Sequence, residues 1–230
     1  DCVTAFNAQA RSRSRYHRCK RMYQVQSSTI YAGLPGAFDI ARAQADSAVQ
    51  HPLIVCTGPS YDATYTDGLH PNADWQRRQG ERFGKWARRI EREGKAPVVF
   101  QSSRAVLSDA TVTVSINVPW GLSLAIDTVI VAATPNYGLK YYDSASSITI
   151  TNVAIGADSR SLVVTLSAAP SLANAPYLTF GDMSMVVGNS AGQTGGARTN
   201  IRTTETEVGP LSGAIIHDWL CHHRIRITAA

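Results

Sequence analysis

The chain has 230 residues, of which 44% are hydrophobic, enough to build a packed core in one large domain or two small ones. It contains no apolar run of the ~18 residues that a membrane-spanning helix needs, and its first residues have no secretory pattern. The net charge of +5 is uneven: residues 1–95 hold 15 Lys and Arg against 9 Asp and Glu, whereas residues 96–230 hold 7 against 8. No membrane partner is expected.

The basic excess lies in RSRSRYHRCKR (Arg11–Arg21) and WQRRQGERFGKWARRIER (Trp75–Arg92). Such arginines can serve nucleic acid, but the second run interleaves them with Trp75, Phe83, Trp86 and Ile90 at helical spacing. That is the pattern of a docked helix with a charged outer face, either solvated or paired with an acidic neighbour. Nucleic acid is accordingly not the expected partner. The packed side is expected to be Trp75, Phe83, Trp86 and Ile90, and the exposed side Arg78, Lys85, Arg89 and Arg92.

In chain order, Asp1 to about Arg18 reads as helix and MYQVQS (Met22–Ser27) as an alternating strand. FDIARAQADSAVQ (Phe38–Gln50) is a helix with Ala, Ile and Val on one face. PLIVC (Pro52–Cys56) is too short for a helix and reads as a buried strand. Thr57–Thr66 is a loop. Asn72 or Asp74 can cap the next helix, which runs to about Glu93 and stops at Gly94. Strand, helix, strand, loop and helix is the tail of an α/β sheet with parallel strands. The opening on Asp1 rather than Met leads to the expectation of an excerpt from a longer protein.

Composition changes near Gly94–Pro97, which divides the chain into an α/β part, residues 1–95, and a β part, residues 96–230. VTVSINV (Val112–Val118), TVIVAA (Thr128–Ala133), SITITNVAI (Ser147–Ile155) and SLVVTLS (Ser161–Ser167) all alternate. Pro, Gly, Asn and Asp turns separate them, which predicts a sandwich-like β domain. SAGQTGGA (Ser190–Ala197) lacks the spacing of a phosphate-cradling loop and reads as a connector.

The four cysteines, Cys2, Cys19, Cys56 and Cys221, form no CxxC pair, which argues against structural zinc and leaves disulfide pairing open. Cys56, in LIVC, reads as a buried thiol. Cys221 stands among His217, His222 and His223. A metal site there would be split if the segment is a strand, because alternate side chains face opposite ways.

TDGLHPNADW (Thr66–Trp75) carries the chemistry. A histidine is a general base near neutral pH, and a carboxylate on one ring nitrogen orients it and stabilises the imidazolium. Asp67 and His70, three residues apart around Gly68, can meet in a tight loop. If that loop leaves the carboxyl end of a parallel strand, it lies where α/β folds place their active sites.

The run CTGPSYDATYTDGLHPNADWQRRQGERFGKWARRI resembles the closing block of the SGNH (GDSL-type) hydrolases, in which D-x-x-H-P supplies an aspartate and a histidine before the last helix. The preceding IARAQADSAVQHPLIVCTGP resembles the carbohydrate-esterase branch, which includes sialate O-acetylesterases. The resemblance spans roughly Tyr23–Glu93 and is most specific at Asp67, Gly68, His70 and Pro71. Residues 197–227, with NIRTTE and IIHDWL, resemble more weakly the β extension of some members.

The resemblance implies the C-terminal portion of a flavodoxin-like three-layer SGNH domain followed by a β-sandwich-like extension. It also implies Asp67 and His70 as catalytic residues, no metal or organic cofactor, and serine-dependent removal of O-acetyl groups from an acylated glycan. The family's serine and oxyanion blocks precede D-x-x-H, and this sequence has no G-D-S. Ser60 follows the right strand but belongs to the loop leading to Asp67, so the nucleophile is expected upstream. The alternative is a structural or glycan-attachment part of a virion, such as a fibre, spike or collar. Either reading places the protein outside the cell or on a particle, with an upstream fragment, further copies or virion neighbours as partners.

Overall fold

A computed structural model describes residues 21–28, 37–144, 147–182 and 191–230. The predicted helix over Asp1–Arg18, the first basic run up to Lys20, and Cys2 and Cys19 lie outside the described residues. The chain is a mixed α/β structure, mostly sheet with few helices.

Strand β1 (Met22–Gln26) pairs in parallel with β2 (Ile54–Pro59), with Gln24 opposite Cys56. Helix α1 (Ala37–Gln50) crosses between them and buries Ala41 and Ala45. The predicted strand Pro52–Cys56 therefore begins two residues later and extends to Pro59. Helix α2 (Ala73–Ala87) continues through a wider turn over Arg88–Arg92. Asn72 is its cap: in extended conformation, its Oδ1 accepts the Trp75 N–H at 2.9 Å, meeting one donor that the first helical turn leaves unpaired. Gly94, at φ +68°, ends it in the left-handed region that glycine enters without a Cβ clash.

The rest is strand and turn. A five-stranded sheet has the order β12 (Thr228–Ala229), β3 (Ser102–Ser108), β4 (Thr111–Ile116), β8 (Ser161–Leu166), β7 (Ile150–Ile155). A three-stranded sheet has the order β11 (His223–Arg226), β9 (Tyr177–Phe180), β6 (Leu139–Tyr142). A third pair joins β5 (Leu124–Ile126) to β10 (Ile201–Thr203). Val112, Val114, Leu162 and Val164 of the larger sheet share one core with Leu139, Tyr141, Leu178 and Phe180 of the smaller. Period-two alternation on β4 and β8 puts those apolar side chains on one face.

Thr128–Ala133 is not a strand. Asp127 Oδ1 accepts the Val129 and Ile130 N–H groups at 2.9 and 2.8 Å, which folds the segment into turns. Asn200 Nδ2 then donates to the Asp127, Val131 and Ala132 carbonyls. Val131 is buried while Val129, two residues away, is 92% exposed, so the two do not share a face as they would in a strand.

Lys85 overturns the exposure expected of the charged face of α2. Its side chain is 1% exposed, and its Nζ lies 2.9 Å from Asp218 Oδ1, 3.5 Å from Glu205 Oε2 and 2.6 Å from the Ile216 carbonyl. Trp86 Nε1 donates to the same Asp218 oxygen at 2.9 Å. Arg89 is also mostly buried, 2.7 Å from Glu205, while Arg92 is exposed and Arg78 half-buried. On the packed side Trp75, Trp86 and Ile90 are buried and Phe83 is half-buried. Burial works to raise the Glu205 carboxyl, but the Lys85 and Arg89 charges and two backbone N–H groups outweigh it and hold it low.

Lys85→Ala leaves the buried Asp218 carboxylate without its cation and Glu205 with Arg89 alone, and should cost ~3–5 kcal/mol. Trp86→Ala should cost about as much through its cavity, and Arg92→Ala less than ~0.5 kcal/mol. Urea unfolding of the three variants checks the ranking; a Lys85→Ala midpoint equal to that of Arg92→Ala would refute the buried pairing.

Candidate active site

The loop after β2 brings Asp67 and His70 together. Asp67 Oδ1 accepts the Leu69 and His70 N–H groups at 3.0 and 2.7 Å, while Oδ2 faces His70 Nδ1 at 2.7 Å. Gly68, at φ +80°, makes the bend. The loop is closed at its base, where Thr66 donates from both N–H and Oγ1 to the His70 carbonyl at 2.9 and 3.0 Å. Tyr65 bridges to Pro71, and Asn72 N–H donates to Thr64. Hydrogen bonds from the His70 ring and from two backbone amides hold the Asp67 carboxyl well below the usual carboxylate range. An ionised Asp67 accepts from Nδ1–H, so the neutral imidazole keeps its lone pair on Nε2, the tautomer a general base requires. The two side chains are 69% and 54% exposed, which leaves the pair open to an incoming group.

Three neighbours support this loop. Asp62, five residues upstream, is buried against Arg82 at 2.5 Å and accepts the Trp75 indole N–H at 3.2 Å, which fixes the loop to α2. Gln193, in the short helical turn α3 (Gly192–Gly195), donates to the Asp62 carbonyl at 2.7 Å. Gly192, at φ +79°, lies so near the Ala63 carbonyl and the Tyr65 ring that a Cβ would collide with both. The segment predicted as a plain connector is thus part of a wall on the Asp67 side of the loop. A groove of about 410 Å³ lies between them, lined by Tyr65, Asp67, Gly68, Gln193 and Thr194. A second cavity of about 290 Å³, on Asp62, Arg78, Arg82, His217 and Trp219, is near the base of the same loop. The connector's three glycines, Gly192 before Gln193-Thr194 and Gly195 and Gly196 after it, are the one available signal for a close backbone approach.

Ser60 is not joined to His70. It is buried, its Oγ accepts the Ser28 N–H at 3.0 Å, and the same Oγ lies 3.2 Å from the Tyr65 hydroxyl.

The histidines around Cys221 face separate partners. Ser28 Oγ lies 2.9 Å from His222 Nε2, and the other nitrogen of that ring lies 3.1 Å from the Gly181 carbonyl. His223 Nε2 accepts the Ser102 N–H at 3.0 Å, so its Nδ1–H donates to the Cys221 carbonyl at 2.7 Å. His217 lines the 290 Å³ cavity instead, with Nδ1 sealed and without a hydrogen-bond partner. Among the described residues no three His, Cys, Asp or Glu side chains converge on a metal position.

No family model and no curated protein matches the sequence at a significant level. Among solved structures, the chain shares the fold of a carbohydrate acetylesterase from Xanthomonas citri, with a TM-score of 0.57 at 14% identity over 96% of this chain. That match covers 44% of the acetylesterase, so the present chain spans less than half its length. The N-terminal part of the bacterial S-layer protein SbsC aligns over 73% of this chain and 34% of its own at 13% identity, but its TM-score of 0.29 lies below that of a common fold.

Burial lowers His222 and His223 to about 4, against an ordinary value near 6.5. Between those values the unfolded chain binds more protons than the folded one. Their contribution to stability is therefore complete above pH ~6.5 and is lost as pH falls through 4, by at most on the order of 3 kcal/mol per ring. Melting temperature should drop between pH 6.5 and 4, and less so in His223→Gln; a flat profile over that range would show that the rings are not held neutral.

Proposed function

We propose that residues 1–95 are the C-terminal portion of an SGNH-type esterase domain, that residues 96–230 are its β extension, and that the whole removes O-acetyl groups from a carbohydrate outside the cell or on a particle surface. The observation that carries this reading is the Asp67–His70 pair at 2.7 Å on the loop after parallel strand β2. The shared fold with a carbohydrate acetylesterase twice the length of this chain supports it.

In the complete site a serine from the preceding polypeptide attacks the acetyl carbonyl. His70 Nε2 takes its proton and then gives it to the departing sugar oxygen, which leaves an acetyl-serine. Water, deprotonated by the same nitrogen, hydrolyses that ester and releases acetate. Asp67 holds the ring by Nδ1 throughout and offsets the charge of the imidazolium. The groove against Gln193 and Thr194, bordered by Tyr65, suits a polar sugar rather than a long acyl chain. No cofactor enters these steps.

The 230-residue chain should hydrolyse p-nitrophenyl acetate and an acetylated glycan at background rate, since among the described residues no hydroxyl or thiol is hydrogen-bonded to the His70 ring. A polypeptide extended upstream should deacetylate the glycan, and His70→Ala should lower its kcat by ~10³-fold or more. Glycan deacetylation by the 230-residue chain that His70→Ala abolishes would place a nucleophile within it, with Ser60 the first residue to change. An extended polypeptide that is inactive although it contains a serine block would leave the structural, glycan-attaching role in place of the esterase.

A further inference from the structure

Cys56 and Cys221 are separated by 165 residues in sequence, yet their sulfurs lie 4.0 Å apart. Both are fully buried, in a small apolar cluster with Ala45 of α1 and Val99, and with Ala48 packed against it. Both backbones are clamped: Cys56 is inside β2, opposite Gln24 of β1, and Cys221 N–H donates to the Phe100 carbonyl at 2.9 Å. A thiol is a weak donor and acceptor, so a hydrogen bond between two of them contributes little. The contact joins the strand that leads into the Asp67–His70 loop to the segment entering β11. The adjoining links are of the same kind, with Gln26 Nε2 donating to the His222 carbonyl at 2.7 Å and His222 N–H donating to Gln26 Oε1 at 2.6 Å.

We propose that Cys56 and Cys221 are a disulfide-forming pair, closed by exchange with a small-molecule disulfide during folding, which staples β2 to the segment before β11. Closure needs the sulfurs to approach by about 2 Å, to a bond of ~2.05 Å, a displacement on the scale of side-chain rotation between fixed backbones. The pair behaves asymmetrically: the hydrogen bond from Cys221 lowers Cys56, and donating that bond raises Cys221, so Cys56 is the better thiolate. The Cys56 thiolate attacks the small disulfide RSSR and releases RS⁻. The Cys221 thiolate then attacks the Cys56 sulfur of the mixed disulfide and releases the second RS⁻. Two protein thiols are oxidised and one RSSR is reduced, and the two thiol protons end on the released RS⁻ to give two RSH. Because α1 covers the finished site, exchange belongs to a stage before that helix docks, and the closed bond is shielded from reductant afterwards. The inference does not rest on the esterase reading.

The test is to refold the full chain in glutathione with excess glutathione disulfide, alkylate it in denaturant without reductant, and map the peptides. Expected is one cross-linked peptide joining Cys56 to Cys221, lighter by two hydrogens than the two thiol peptides. A melting temperature about 10 °C lower after reduction in denaturant and refolding with reductant should accompany it, given the length of the closed loop. The same cross-link should form in Cys2→Ser/Cys19→Ser, where no other pairing exists, and the redox dependence of melting should vanish in Cys56→Ser. Alkylation of both Cys56 and Cys221 after oxidative refolding, or a bond from either to Cys2 or Cys19, would overturn the proposal. If Cys56→Ser does not fold, the peptide map alone decides.

Discussion

The buried Lys85 ammonium is the constraint on which the arrangement depends. It lies on a helix from the first part of the chain and reaches Asp218, Glu205 and a backbone carbonyl in the last part. A charge sealed from water is tolerable only with this set of partners, so α2 and the 205–218 segment have one mutual register. The same Asp218 oxygen takes the Trp86 indole N–H, which fixes the rotation of α2 as well as its depth. Once α2 is fixed, its N-terminus is fixed too. Trp75 and Arg82 on α2 then hold Asp62, and Asp62 begins the loop that presents Asp67 and His70. A stabilising network and a candidate catalytic loop are consecutive links of one chain of contacts.

Where local chemistry decided the outcome, the sequence was readable. Asn72 before Ala73-Asp74-Trp75 has the side chain a helix cap needs. Gly94 permits the left-handed stop, and the alternation of Val112, Val114 and Ile116 marks one face of a strand. Asp67 and His70 could be placed together because a three-residue loop with glycine inside it has few ways to close. Lys85 failed because its partners lie more than a hundred residues away, and a charged residue beside Trp86 reads as solvent-facing by default. A finer signal was present: Gln79, Arg82 and Lys85 follow Trp75 at four, seven and ten residues, on the stripe that also holds Trp86. The polar residues on the packed side were the ones with distant partners.

The strand predicted over Thr128–Ala133 failed for a different reason. Asp127 captures two following N–H groups, and Asn200 binds the carbonyls of Asp127, Val131 and Ala132, so the apolar run does not alternate between two faces. Side-chain hydrogen bonds to the backbone compete with a ladder wherever Asp or Asn stands at its edge. The short strands β5, β6, β9 and β10 were missed because three or four residues carry too little periodicity to register. Gln193 and Gly192 were read as linker because their role, walling the Asp67 loop, exists only in three dimensions.

The account stands or falls on what meets the open nitrogen of His70. Asp67 occupies Nδ1, so the esterase reading requires a hydroxyl at Nε2, and the proposed source is a serine upstream of this chain. A crystal structure of the upstream-extended protein measures this directly. The account predicts a serine Oγ about 2.6–3.2 Å from His70 Nε2, on the side opposite Asp67. A structure in which Nε2 faces solvent, with no hydroxyl within reach even through one water, would contradict it.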